Sequence, residues 1–369
     1  MSISVTPVLY VSHHADIVGG GEISLLHLAE RLDRTRWCPL MVLPGQGAMA
    51  AECRRRDIAT FILPMPTCRR FGKDMRASVT RLREIIRVTD ASVLHANGSR
   101  AMMYAGIAGR LEGRRVVWHV RVAQPDGFID RVLARLAHRI VVNSQAVAAR
   151  FGFVSPNRLL CIYNGIDLDA YAPAVPHSAD AVRRQLGVPL NVPMAMSIGR
   201  MTSEKGQGYL LEVAQRLAAA MPDLYWVLVG DGKERAVLET RCKEMGLDDR
   251  VRFPGWLTDI PAALAACDLF VLPSVSEGFG RVLVEAMAMR KAVVASRTGG
   301  VPEVVVPGET GILVPPANPD ALARAVGALI ANPQLAEYFG QNGRLRVEDR
   351  FTLSHHVQAV SGVYDALVA

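Results

Sequence analysis

Short apolar runs alternate along this chain with longer stretches whose apolar positions recur every three or four residues. The first half holds seven such runs, VLYVSH, PLMVLP, TFILPM, SVLHAN, RVVWHV, RIVVNS and RLLCIYN. The second half holds six, PMAMSIG, LYWVLVG, VRFPG, LFVLPS, KAVVAS and GILVPP. Between them, residues 23–32, 74–88, 206–220 and 320–331 have helical spacing. Strands with nearly continuous apolar sequence are buried on both faces, the condition of a parallel sheet covered by helices. Two such series predict an α/β chain of two doubly wound, Rossmann-like domains, each binding ligands outside the carboxyl ends of its strands. The seam falls in residues 164–184, NGIDLDAYAPAVPHSADAVRR, before the second series begins near Met194. The ligand site is expected in a cleft across which the domains face.

The totals agree with that picture. With 369 residues, half of them hydrophobic and 21% charged, the chain can bury two cores. Six scattered cysteines, with no C-x-x-C and no histidine cluster at zinc spacing, point to reduced thiols in the cytoplasm. The opening MSISVTPVLYVSHH has no basic leader, and no apolar run reaches the roughly 18 residues of a membrane span. Charge is uneven. Residues 1–177 carry 23 Lys and Arg against 14 Asp and Glu, a balance of +9, and the remainder sums to −2. The first half is therefore expected to meet an anionic partner. Nucleic acid is not expected, because the basic residues are not interleaved with aromatics and no binding motif is present.

Three stretches carry candidate chemistry. Gly19, Gly20 and Gly21 follow the first strand and open the first helix, as a phosphate-binding turn or simply a tight βα turn. A dinucleotide fingerprint fails there, because Ser24 stands where the third glycine belongs. In GRMTSEKG, Arg200 and Lys205 flank a loop at the end of a strand, as a diphosphate clamp or as two solvated charges. In SEGFGRVLVEAMA, Glu277 and Glu285 would lie about 12 Å apart on one continuous helix. A glycosidase pair needs about 5–9.5 Å between carboxyl groups, which these two meet only if the turn folds back. The glycines at 278 and 280 place Glu277 in a loop and Glu285 one turn into a helix, with amides near Gly280–Val282 free for an anion. A metal reading is weak, since no further Asp or His accompanies the pair.

In order and spacing these motifs resemble the group 1 (family 4) retaining glycosyltransferases of the GT-B fold. The matching run is G-R-x(4)-K-G at 199–206, LVGDG at 228–232, FPGW at 253–256, DLFVLPSVSEGFGRVLVEAMA at 268–288, VVAS at 293–296, GGVPE at 299–303 and GETGILVPP at 308–316. GGGE at 19–22, VVNS at 141–144 and YNGID at 163–167 extend the match into the first half. The expected domains are an acceptor domain at 1–168, a nucleotide-sugar domain at 169–350, and a helix at 351–369 returning to the first. The resemblance implies transfer of a sugar from a nucleotide-diphosphate donor to a saccharide or lipid-linked saccharide, with retention and without a metal or other cofactor. By that resemblance Arg200 and Lys205 neutralise the leaving diphosphate and Glu285 takes the ribose hydroxyls. Glu277 meets the transferred sugar, and amides near Phe279–Val282, with Gly199, Gly278 and Gly280, hold sugar and phosphate. Gly20 and Gly21 approach the diphosphate, and His119 in VVWHVR matches the active-site histidine. A lone histidine after an apolar run is otherwise a packed or surface residue.

Two positions depart from the family. Arg281 replaces an apolar residue, adding charge near the phosphates or facing solvent. VRVAQPDG after His119 fits no particular acceptor class. Asp167-x-Asp169 resembles the metal–diphosphate pair of the other glycosyltransferase fold, but its setting in YNGID makes it a structural turn. Residues 68–88 are basic and amphipathic, with Met75, Val79, Leu82 and Ile86 on one stripe. They form a core-facing helix with a solvated rim or, if the acceptor is lipid-linked, a peripheral attachment to an anionic inner membrane face. The other readings are a non-transferring nucleotide-sugar enzyme of the 2-epimerase kind, a dinucleotide-dependent oxidoreductase and a catalytically silent nucleotide-sugar-binding protein.

Overall fold

The computed structural model describes residues 5–67, 72–172 and 176–369, of which 176–178 are described by backbone alone. The chain divides into two compact units. Unit 1 is Met1–Gly165 with Leu353–Ala369, and unit 2 is Ile166–Thr352.

Unit 1 is built on strands β1 (Thr6–Ser12), β2 (Trp37–Leu43), β3 (Ala59–Ile62), β4 (Val93–Asn97), β5 (Arg115–Val120), β6 (Arg139–Val142) and β7 (Leu159–Cys161). Its helices are α1 (Gly20–Arg31), α2 (Ala48–Arg55), α3 (Lys73–Thr89), α4 (Ser99–Leu111), α5 (Phe128–Leu136) and α6 (Gln145–Ala148). Unit 2 has strands β8 (Met194–Ile198), β9 (Tyr225–Val229), β10 (Val251–Gly255), β11 (Leu269–Leu272), β12 (Ala292–Ser296) and β13 (Gly311–Val314). Its helices are α7 (Pro176–Gln185), α8 (Gly208–Leu217), α9 (Arg235–Glu244), α10 (Ile260–Ala266), α11 (Arg281–Ala288), α12 (Val301–Val304), α13 (Pro319–Ile330) and α14 (Pro333–Arg350). The last helix, α15 (Leu353–Val368), returns to unit 1.

Each predicted apolar run holds one of these strands. The sheets run β3-β2-β1-β4-β5-β6-β7 and β10-β9-β8-β11-β12-β13, with parallel pairing. Both are Rossmann-like, winding outward from a switch point, between β1 and β4 in unit 1 and between β8 and β11 in unit 2. Loops leaving those strands at their carboxyl ends diverge there and open a crevice.

Residue alternation decides which face of the unit 1 sheet each side chain joins. Leu9, Val11, Leu94, Ala96 and Trp118 pack on α3 and α4, with Met75, Val79, Leu82, Ile85 and Ile86 supplied by α3. Val8, Tyr10, Val93 and Val117 face the other way, onto Leu25 of α1 and Val360, Val363 and Tyr364 of α15. The second face thus takes its cover from the end of the chain, and its polar members recur below.

The α3 segment was open between a core helix and a membrane-attached one. Its apolar stripe is buried in the unit 1 core, and Lys73, Arg76, Arg81 and Arg87 are its exposed cations. Arg83 and Arg87 both reach Glu112, at 2.6 and 2.7 Å. Residues 68–71, where the basic segment begins and Cys68 lies, are outside the described residues. Cys38, Cys53, Cys242 and Cys267 are free thiols. Among the described residues no helix is long and apolar enough to cross a membrane.

Leu82 is fully buried in this layer. Leu82→Ala should therefore cost about 2–5 kcal/mol. Arg81→Ala, at an exposed i,i+3 pair with Glu84, should stay within about 0.5 kcal/mol. Denaturation midpoints of the two variants check the contrast, and similar midpoints would contradict the packing.

Candidate active site

In unit 2, three loops meet at the carboxyl edge of the sheet because the backbone can approach without side chains. Gly206 has φ +66°, and a Cβ there would lie 2.2 Å from the Pro273 carbonyl oxygen. Gly299 has φ +48°, and its Cβ would lie 1.7 Å from the Glu277 carbonyl oxygen. The loop after β8 is further tied to the loop after β11 by the Val275 N–H, which donates to the Glu204 carbonyl at 2.8 Å. These contacts carry Lys205 to Glu277. Lys205 Nζ is 2.6 Å from Glu277 Oε2, both side chains mostly buried, and Ser274 Oγ donates to the same oxygen at 3.4 Å. Arg200 is half exposed and only loosely paired, 3.8 Å from Glu204, so its guanidinium is less tightly held than Lys205.

The β11 loop then enters α11 through Gly280, whose helix start leaves the first amides without intrahelical partners. Phe279 is buried with its ring 5.6 Å from that of Phe351, so only its backbone is available to a ligand. Arg281 and Glu285 lie one turn apart, Nε to Oε1 3.2 Å, with side chains 10% and 11% exposed. Arg281 Nη1 is buried without a hydrogen-bond partner among the described residues. The Tyr171 hydroxyl also hydrogen-bonds to Glu285. Tyr171 is itself held by Arg344 of α14, whose Nη1 donates to the carbonyls of Tyr171 and Ala288 at 3.0 and 2.9 Å. Burial pushes the Glu285 carboxyl above its ordinary range, while the Arg281 charge and the Tyr171 hydroxyl pull it back.

In unit 1, His119 lies near the carboxyl end of β5, fully buried. Arg121, just beyond the strand, organises its surroundings. Its Nη2 donates to His119 Nδ1 at 3.3 Å and its Nε to Asn97 Oδ1 at 3.1 Å, and its Nη1 reaches Asn164 Oδ1. Ser24 Oγ donates to Asn164 Oδ1 at 3.3 Å. The glycine turn rests on this cluster, since a Cβ on Gly21 would lie 3.3 Å from Arg121 Cδ. Gly20 begins α1 and is exposed, and the Gly19 N–H is capped by Glu22 Oε2 at 3.1 Å. The loop after β5 is pinned by a buried ion pair of Arg150 with Asp130, Nε to Oδ2 2.7 Å. Arg150 Nη1 also donates to the Val122 carbonyl at 3.0 Å.

Two family models match the chain: glycosyl transferases group 1 over residues 178–346, and glycosyltransferase family 4 over residues 18–170. The alpha-maltose-1-phosphate synthase of Mycolicibacterium smegmatis is 30% identical over 84% of this chain and 88% of its own length. The chain belongs to the group 1 glycosyltransferases. A GDP-mannose-dependent phosphatidylinositol monomannoside mannosyltransferase of the same organism is 27% identical over 78% of each chain. Among solved structures, Anabaena Alr3699/HepE in complex with UDP and glucose superposes with a TM-score of 0.86 at 28% identity, covering 97% of this chain and 99% of that one.

The oxidoreductase alternative falls with this membership. In this glycosyltransferase the expected residues divide between the units. Gly199, Arg200, Lys205, Glu277, Gly278, Phe279, Gly280, Arg281, Val282 and Glu285 gather at the switch point of unit 2, and Gly20, Gly21 and His119 lie in unit 1. Solvent is not where Arg281 points, because its charge is drawn in against Glu285. Asp167 and Asp169 form a turn, with the Asp169 N–H donating to Asp167 Oδ1 at 3.2 Å. Among the described residues no three His, Cys, Asp or Glu side chains are placed to hold a metal ion. Sequence reasoning missed Arg121, Asn97, Asn164 and Tyr171. Arg121 had a signal, an arginine two positions after a histidine at a strand end, whereas Tyr171 sits in a linker-like stretch with none.

Burial, then the Arg121 charge, holds His95 and His119 neutral well below the ordinary value of 6.5. His13 is lowered to about 4 by burial and by His14 and Arg100. Once unfolded, these rings bind protons below pH 6.5 that the folded unit does not. Unit 1 should lose about 1.4 kcal/mol per pH unit for each histidine kept neutral as pH falls below about 6.5. Unfolding at pH 7.5 and 5.5 measures this, and a midpoint that stays put would contradict it.

Proposed function

We propose that this glycosyltransferase moves a sugar from a nucleotide-diphosphate donor to a saccharide or lipid-linked saccharide acceptor, in the cytoplasm and for cell-surface glycan synthesis. The observation that carries the reading is the convergence at the unit 2 switch point of Arg200, the Lys205–Glu277 pair and the amino end of α11. Such a set suits a ligand with a dianionic centre and hydroxyl groups on either side. HepE, bound to UDP and to UDP-glucose in its structures, supports a donor of that class.

As the glycosidic bond breaks, negative charge accumulates on the departing diphosphate. Lys205, already oriented by Glu277, and the less tightly held Arg200 stabilise that charge, and the first amides of α11 add helix-end dipoles. These groups supply the positive charge a metal ion would otherwise provide, so the transfer is metal-independent. Glu277 accepts hydrogen bonds from the sugar being transferred while holding Lys205. Glu285 takes the ribose hydroxyls, oriented by Arg281 and Tyr171. His119 and the Gly20–Gly21 turn are the contribution of unit 1, and retention at the anomeric carbon follows the family resemblance. Attachment of α3 to an anionic lipid surface, with its apolar stripe committed to the core, would rest on its exposed cations alone.

Arg200→Ala and Lys205→Ala should each lower kcat by about 10²–10³ with smaller effects on KM, the mark of charge stabilised in the transition state. Equal loss in kcat and donor affinity would assign them to ground-state binding instead. Glu285→Ala should raise the donor Kd most, and unchanged affinity would remove the ribose role. UDP, GDP and ADP compared by thermal shift identify the base, since a bound nucleotide raises Tm with its excess over Kd. No shift with any of them would overturn the donor class, and activity lost in EDTA and restored by magnesium would overturn the metal-free step.

A further inference from the structure

A row of polar side chains runs through the otherwise apolar layer between α15 and the unit 1 sheet. Register explains the row: Tyr10 pairs with His95 and Asn97 with His119 on neighbouring parallel strands, so all four point to the α15 side. The Tyr10 and Tyr364 hydroxyls are 3.1 Å apart, and Tyr364 Oη is 2.7 Å from His95 Nδ1. His95 Nε2 is 3.1 Å from His119 Nδ1, the nitrogen that Arg121 Nη2 approaches to 3.3 Å. Tyr10, His95, His119 and Tyr364 are all 0% exposed.

Arg121 dictates the order of protons along this row. A guanidinium has only donors, so His119 Nδ1 must be an acceptor. His95 Nε2 faces the same nitrogen and must carry a proton, which leaves His95 Nδ1 to accept from the Tyr364 O–H. The one Tyr364 proton is then committed, and its oxygen receives the Tyr10 O–H. The remaining proton of a neutral His119 sits on Nε2, a buried atom with no partner among the described residues. An unmet buried donor is costly, and a ligand oxygen is the partner it lacks.

We infer that Tyr364 and His95 are positioning residues that lock His119 as the neutral Nε2–H tautomer, a fixed hydrogen-bond donor to a hydroxyl or ring oxygen of the sugar substrates. The inference rests on reading His119 as a transfer-site residue. His119 then does not act as a general base, because its accepting nitrogen is occupied by Arg121 and His95. The groups facing the row are Arg121 beyond β5, Asn97 on β4, Tyr10 on β1 with Arg34 behind it, and His356 on α15. The His356 ring lies 6.0 Å from that of His119, and its Nδ1 donates to the Tyr163 carbonyl at 2.7 Å. The charges acting on His95 and His119 come from Arg121 and histidines, which oppose a second proton.

The chain has nine histidines, few enough for imidazole ¹⁵N spectra assigned by substitution. His119 should show a protonated Nε2 and a bare Nδ1 from pH 8 to 5.5. A protonated Nδ1, or titration near pH 6.5, would overturn the inference whatever the activity. Tyr364→Phe should release His95 into a mixture of tautomers and lower kcat about tenfold with donor KM within about twofold. Unchanged His95 signals in a folded variant would likewise overturn it. If that variant does not fold, His95→Gln, which keeps a donor amide, should retain activity within about threefold, and His95→Leu should lose at least tenfold. Equal losses in these two would reduce the row to packing. Full activity in His119→Ala would sink the assignment of His119 to transfer while leaving the tautomer result standing, so the two failures are distinguishable.

Discussion

Main-chain approach without side chains is what the loop cluster of unit 2 depends on. At Gly206 and Gly299 the backbone of one loop lies against a carbonyl of another, closer than any Cβ would permit. Those two contacts draw the loops after β8, β11 and β12 into one surface, so that residues 72 positions apart, Lys205 and Glu277, share a hydrogen bond. Without them the loops would diverge, as strand ends at a switch point do, and the cations would be separate solvated charges.

Electrostatic compensation then sets the character of each side chain. Lys205 is oriented by one carboxylate, and Arg281 is sheltered beside another, whereas Arg200 keeps nearly half its surface in water. The two cations thus differ in how tightly the protein holds them, one fixed by a carboxylate and the other left half exposed to solvent. Unit 1 reaches rigidity differently, through a buried chain of neutral donors and acceptors ending on a single arginine. Within a low-dielectric layer such a chain is tolerable only when its members are satisfied in sequence, which is why one guanidinium can order four side chains.

Much of this was legible along the chain. The thirteen apolar runs named the strands, because a strand buried on both faces needs no partner to reveal itself. The ordered motifs from Gly199 to Pro316 marked the loops that gather at the unit 2 switch point. The α3 segment was ambiguous, since an amphipathic helix reads alike whether its stripe meets a core or a lipid surface. His119 could be singled out only by resemblance, and Tyr364 and His95 were silent.

The sequence by itself determined the period of the elements, the two doubly wound units and which short segments carry charge, because these depend on neighbours a few residues apart. Only the tertiary structure decided the pairings: Lys205 with Glu277, Arg281 with Glu285 and Tyr171, and Tyr364 with His95 across 269 residues. Such contacts depend on loop closure, strand register and the return of α15 to unit 1, and none of these leaves a local periodicity to read.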